Sequence, residues 1–209
     1  MVYIHHRINT ISSLWNVSTK DGIEVDVRYH ENTLILHHDP FHHHQNYVQT
    51  LESLLCEWHH AGPLILNVKT EGVEQACIDL MNKYQISSWF FLDLSMPYFA
   101  AYAQKAALKK IAGFSRENLC VRFSEYEDIA YALGFAKNVS WVWVDCFTHC
   151  PLDFEIAEKL KNAGFKICLV SPELQGHPKD WIEKFQQQLC GISIDAVCTK
   201  YPYLWRGMY

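Results

Sequence analysis

Two acidic side chains alternate with apolar neighbours in Gly22-Ile23-Glu24-Val25-Asp26-Val27-Arg28, and His38-Asp39 follows, the histidine twelve residues after Asp26. On a strand this alternation puts Glu24, Asp26 and Arg28 on one face. Side-by-side carboxylates repel each other unless a cation or a basic cluster offsets them. A hard divalent ion such as Mg²⁺ or Ca²⁺ would do so, because it prefers oxygen ligands. His6-Arg7 near the N-terminus supplies an imidazole and a guanidinium, the other half of a site able to bind and cleave a phosphodiester.

A second alternating run, Pro63 to Lys69, puts Ile65, Asn67 and Lys69 on one face. Beside Glu24 and Asp26, Asn67 would offer a neutral carbonyl oxygen to a metal and Lys69 a positive charge to a phosphate. A plain salt bridge between Lys69 and the carboxylates fits the same spacing, so both readings stay open. His38 closes the apolar run Leu34-Ile35-Leu36, where an imidazole can serve as general acid or base. His37 would face the other way. The His42-His43-His44 tract, His59-His60 and His177 read as solvated surface.

Short apolar strands alternate with amphipathic helices to position these groups. The strand candidates are residues 2–6, 22–28, 63–69, 88–94, 119–124, 140–146, 166–171 and 193–199, with a short extra strand from Thr33 to His37. Helical periodicity is clear from about Tyr47 to His60, from Val73 to Met81, from Ile156 to Ala163, and from Trp181 to Leu189. Gly164 suits the position just past a helix end, and Pro178 suits a first helical turn. Strands separated by helices imply parallel pairing, and the count of eight predicts a compact (β/α)8 barrel in one domain spanning 1–209. Nearly every strand ends in a polar group: His6, Asp26, Lys69, Asp93, Arg122, Asp145, Glu173 and Lys200. In such a barrel those ends meet at one mouth, where active sites form.

Composition sets the bounds. With 49% apolar and 20% charged residues, the chain is an ordinary soluble globular protein. A formal charge of −5 gives no footprint for nucleic acid, so local basic residues must capture any phosphate. No apolar run reaches transmembrane length and no signal peptide is evident, which predicts a cytoplasmic protein. The cysteines then read as reduced, several of them (Cys77, Cys120, Cys168, Cys198) as small hydrophobes within strands and helices. The sequons at Asn16 and Asn138 carry no weight in that setting. Cys146-x-x-His149-Cys150 lacks a fourth ligand and reads as structural rather than as a zinc site.

Taken in order, His6-Arg7, Glu24-x-Asp26-Val27, His38-Asp39-Pro40, Asn67-x-Lys69 and the terminal run from Ile194 through Thr199 to Tyr201-Pro202 resemble the glycerophosphodiester phosphodiesterases. These belong to the phospholipase C-like phosphodiesterase superfamily of TIM barrels. The resemblance implies a metal-dependent phosphodiesterase acting on a small-molecule phosphodiester, by hydrolysis or by cyclisation. It also implies that Glu24, Asp26 and Asn67 hold a divalent metal, Mg²⁺ or Ca²⁺, that His6 and His38 are the acid/base pair, and that Arg7 and Lys69 contact phosphate. The chain departs from the family pattern in several places. Asn67 replaces the third acidic ligand, the stretch from His6 to Glu24 is short with Asn9-Thr10 only echoing Glu-Asn-Thr, and Thr-Asp-x-Pro has become Thr199-Lys200-Tyr201-Pro202. No insertion long enough for a glycerol-recognising cap is evident.

Those departures separate three expectations. One is an active phosphodiesterase with a sugar- or glycan-linked substrate, for which Trp141, Trp143 or Trp205 could stack on a sugar, although barrel packing is the better account of Trp141 and Trp143. Another is a barrel that binds a phosphorylated ligand without turnover through Arg7, Lys69 and Arg122. An amidohydrolase-type barrel is the third; it wants His-x-His on the first strand, whereas His5 and His6 are adjacent and diverge.

Overall fold

A computed structural model describes residues 1–40 and 48–207. Among these residues the strands are β1 (Val2–His5), β2 (Gly22–His30), β3 (Thr33–Leu36), β4 (Leu64–Val68), β5 (Trp89–Leu92), β6 (Cys120–Phe123), β7 (Trp141–Val144), β8 (Lys166–Val170) and β9 (Ala196–Thr199). The helices are α1 (Ile11–Leu14), α2 (Leu51–Cys56), α3 (Glu74–Lys83), α4 (Met96–Ala107), α5 (Ile129–Gly134), α6 (Phe154–Asn162), α7 (Trp181–Gln188) and α8 (Pro202–Trp205). All strands except β3 pair in parallel, in the order β5-β4-β2-β1-β9-β8-β7-β6. A single parallel bridge, Phe91 to Leu119, joins the two ends. The sheet is therefore a nearly closed (β/α)8 barrel, as the strand count predicts.

Alternation sorts the side chains into two cores. Ile23, Val25 and Val27 of β2 and Leu64, Leu66 and Val68 of β4 pack outward under the helices. Ile4, Ile65, Phe90, Cys120, Trp143, Cys168, Ala196 and Cys198 fill the barrel interior. Small residues on β6, β8 and β9 face the bulky Phe90, Trp141 and Trp143 on β5 and β7, so the interior interdigitates by volume. Trp141 stacks on Phe90 at 4.8 Å between ring centroids. It serves as packing. The cysteines carry no disulfide, and burial pushes the Cys120, Cys168 and Cys198 thiols well up, as inert core groups.

Two local features position the site. The strand β2 runs past the rim and turns back through Glu31 and Asn32, both at positive φ (45° and 62°), into antiparallel β3. That pair of left-handed residues is the signature of a two-residue I′ turn. At the other end of β2, Gly22 lies so close to the chain entering β4 that a Cβ would sit 2.4 Å from the Pro63 carbonyl oxygen.

Some elements differ from expectation. Within the expected 47–60 helix, α2 covers only Leu51–Cys56, because the Thr50 side chain accepts the Ser53 N–H and caps it. Tyr47 lies outside the described residues, as does the His42–His44 tract. Pro178 sits in the turn before α7, its carbonyl accepting the Trp181 N–H at 3.0 Å. Gly164 does follow α6 with φ of 89°. Among the described residues no helix is long and apolar enough to cross a membrane.

Candidate active site

The chain leaves β1 at His5 and turns sharply at Arg7, whose φ is 57°. A left-handed conformation costs a non-glycine residue about 1–2 kcal/mol. Here it aims the Arg7 backbone N–H at Glu24 Oε2, 2.7 Å away. Such strain held against a buried carboxylate is typical of functional sites. His5 and His6 diverge as expected, with His5 Nε2 3.1 Å from Asp21 Oδ2 and His6 entering the mouth.

Glu24 and Asp26 point inward from β2 and are fully buried. Their neighbour across β2 and β4 is Asn67, in register with Asp26. Asn67 donates its amide N–H to Glu24 Oε1 at 2.8 Å. Asn9 holds Asp26 from both sides. Its Nδ2 donates to Oδ2 at 2.8 Å, and its Oδ1 accepts the Asp26 backbone N–H at 2.8 Å. Burial, then the charge of Asp26, pushes the Glu24 carboxyl up to about 7 against the opposing hydrogen bonds from Arg7 and Asn67.

His38 reaches the mouth because β3 returns to the rim. The His37 N–H donates to the Asp26 carbonyl at 3.0 Å, so the next residue falls beside Arg7. Its Nδ1 lies 2.7 Å from Asp39 Oδ1 and its Nε2 2.5 Å from an Arg7 guanidinium nitrogen. Arginine can only donate, so Nε2 carries the lone pair and Nδ1 the proton. On the other side of Glu24, His6 Nε2 lies 3.9 Å from Oε2, and His6 Nδ1 is buried without a hydrogen-bond partner. Burial, then the positive field of Arg7 and Lys200, lowers His6 to about 3, so it is neutral near pH 7.

Lys69 projects between two carboxylates, 3.7 Å from Asp26 Oδ1 and 3.5 Å from Asp93 Oδ2. The salt bridge foreseen as an alternative therefore exists, but it joins Asp26 to Asp93 and leaves Glu24 to other partners. It opens a charge ladder around the mouth. Asp93 Oδ1 meets Arg122 at 3.0 Å, Arg122 meets Asp145 Oδ2 at 2.8 Å, and Gln175 Nε2 donates to Asp145 Oδ1 at 2.9 Å. Asp93, like Arg7, sits at positive φ (59°) at a strand end. Of the remaining strand-end residues, Glu173 accepts Thr199 Oγ1 at 2.5 Å and the Lys200 N–H at 2.9 Å, tying β8 to β9.

His6, Arg7, Glu24, Asn67 and Lys69 line one pocket of about 210 Å³ together with Asp93, Arg122, Trp143, Asp145 and Gln175. His38 and Asp39 line an adjoining groove with Asn9, Ile11 and Trp15, and the Arg7–His38 contact joins the two spaces. Of the candidate residues read from the sequence, five line the pocket, His38 lines the groove beside it, and Asp26 is fully buried and lines neither. Asn9 and Gln175 were not foreseen. The Asn9-Thr10 echo was the signal for Asn9; Gln175, in a turn after β8, has none.

The donor set suits a hard divalent ion. Asp26 Oδ1 and Asn67 Oδ1 are buried without hydrogen-bond partners, and the Glu24 carboxylate, bonded to Asn67, has further lone-pair capacity. Among the described residues no three His, Cys, Asp or Glu side chains gather in metal-binding geometry; here the third oxygen belongs to an amide. Among the described residues, His60 and His177, expected as solvated surface, are instead partly buried and bonded within the fold. His60 bonds the Asp21 carbonyl, His177 bonds the Phe147 carbonyl and stacks on Trp181, and Cys146 and Cys150 are buried while His149 contacts Thr148.

No protein-family model and no curated protein sequence matches the chain. Solved structures do. A glycerophosphoryl diester phosphodiesterase from Parabacteroides distasonis superposes with a TM-score of 0.68 at 12% identity, over 99% of this chain and 85% of that one. A glycerophosphodiester phosphodiesterase from Agrobacterium tumefaciens gives 0.68 at 16% identity, over 98% and 99%. The chain has the fold of those enzymes.

Proposed function

We propose that the chain is a metal-assisted phosphodiesterase that cleaves a small, sugar- or glycan-linked phosphoric diester in this mouth. The observation that carries the reading is the grouping of two imidazoles, two cations and three buried oxygen donors about a pocket and the groove that the Arg7–His38 contact joins to it. Glu24, Asp26 and Asn67 would hold Mg²⁺ or Ca²⁺, which supplies Lewis-acid polarisation of a phosphoryl oxygen.

The protein's own groups do the rest. Arg7 and Lys69 take the phosphate oxygens, and engaging the phosphate draws the Arg7 guanidinium off His38 Nε2. The freed lone pair, on a ring oriented by Asp39, accepts the proton of the attacking hydroxyl, from water or from the substrate itself. His6 donates a hydrogen bond to the departing oxygen, where charge develops. Burial more than the cations keeps His6 neutral, so it serves as a hydrogen-bond donor while the leaving oxygen takes its proton from solvent.

The test is turnover of a chromogenic phosphodiester with Mg²⁺, Ca²⁺ or Mn²⁺. Activity is expected in the native protein and lost in Glu24→Gln and His38→Ala; undiminished activity in both variants refutes the assignment. One observation favours a second reading, binding without turnover. Lys69 already partners Asp26, and the Asn67 amide already partners Glu24, so the carboxylates are partly satisfied without an ion. Thermal stabilisation by phosphodiesters with no cleavage would select that reading.

A further inference from the structure

From the far wall of the same pocket we infer a subsite for a neutral, polyhydroxylated ring, a sugar, esterified to the phosphate; this rests on the phosphodiesterase reading and assigns its substrate group. Phosphate is held at the β1–β4 side of the mouth. Across from it stand Arg122, Asp145 and Gln175, with Trp143 beneath, all lining the cavity.

Three observations select the ligand. The wall offers donors and acceptors in alternation: Gln175 donates to Asp145, and Arg122 bridges Asp145 and Asp93. Hydroxyls both donate and accept, so they can join such a chain at any link. Arg122 Nε faces the Glu127 carboxylate, 3.8 Å away and outside this cavity's lining, so the guanidinium is fixed from three sides and presents a set geometry to the wall. Charge then excludes the obvious rival. On this wall Asp93 and Asp145 are matched by Arg122 and Lys69, so no spare charge is left to hold a second phosphate, a carboxylate or an ammonium on the ligand. Trp143 adds an aromatic surface at the pocket wall, the part of the site suited to the C–H face of a ring rather than to an open chain.

The test compares methyl phosphodiesters whose second alcohol is glucose (through O6), glycerol, cyclohexylmethanol or ethanolamine. Affinity is read by calorimetry and turnover by product release, both with divalent ion present. The glucose diester is expected to bind about 10-fold or more tightly than the cyclohexylmethyl and glycerol diesters, since a site built for hydroxyls rejects ligands that leave its polar groups unpaired. In Gln175→Leu that preference should fall to within about 2-fold, a readout that general destabilisation would not change selectively. Equal affinity for the cyclohexylmethyl or glycerol diester overturns the proposal, and so does a preference for ethanolamine. The two readings fail separately. Sugar-selective binding without cleavage of any diester leaves the subsite standing and removes the phosphodiesterase, whereas cleavage without selectivity does the reverse. No binding of any diester overturns the subsite.

Discussion

Replacing Asn67 by glutamate restores a third carboxylate to the pocket and makes stability depend on an ion. In the native protein Asn67 Nδ2 donates to Glu24 Oε1 at 2.8 Å, and both residues are buried. The variant loses that bond to a charged acceptor, roughly 1.5–3 kcal/mol, and sets a like charge in its place. Because Glu24 is already pushed up to about 7, it can take a proton near neutrality and relieve part of the repulsion. A net loss of about 3 kcal/mol is expected in chelator. For a chain of this length that lowers Tm by roughly 6–12 °C. Adding Mg²⁺, Ca²⁺ or Mn²⁺ at a hundred times its dissociation constant returns about 2.7 kcal/mol, most of the deficit. The assay is calorimetric unfolding of both proteins with chelator and with each ion. A Tm for Asn67→Glu that is the same with and without ions would show that residue 67 does not face a metal and would refute the ligand set.

Asn9→Ala strips both hydrogen bonds from Asp26, leaving a buried backbone N–H and a carboxylate oxygen unpaired. A cost of about 2–4 kcal/mol in urea unfolding is expected, and a loss under about 0.5 kcal/mol would mean that Asn9 does not support the carboxylate. Asp145 gives a pH signature: burial raises its carboxyl from 3.8 to about 6 despite Arg122. Between those values the folded state holds a proton that the unfolded state lacks, so stability falls as pH rises through this window, by about 3 kcal/mol. Asp145→Asn should remove that contribution while Glu24 and His6 titrate alike in both proteins. Parallel stability curves for the two from pH 4 to 7 would contradict it.

The sequence made the barrel and most of the mouth legible because alternation is a strong signal where one face meets helices and the other a polar interior. Ile23, Val25 and Val27 mark the outer face of β2, so Glu24 and Asp26 had to point inward. The same logic placed Asn67 and Lys69. What escaped depends on loops and turns. Asn9 acts from an irregular segment where periodicity says nothing, and Gln175 meets Asp145 across a separation of thirty residues. The Lys69 partners were only half foreseen, since which carboxylates a lysine joins depends on the barrel's curvature. The helix α4 passes unread although Phe99, Tyr102, Ala103 and Ala106 recur at helical spacing.

The hairpin built from β2 and β3 has a consequence for how this architecture can change. His38 rides on an arm that forms no part of the barrel wall, tethered by the Glu31-Asn32 reversal and by the His37–Asp26 bond. The two carboxylates sit on the barrel strand β2, and His38 follows its returning partner β3. Lengthening or shortening the arm by a pair of residues would slide the imidazole along the rim in one strand step while the barrel stays shut. The imidazole's position can then be retuned at the tip of one ribbon without re-engineering the scaffold beneath.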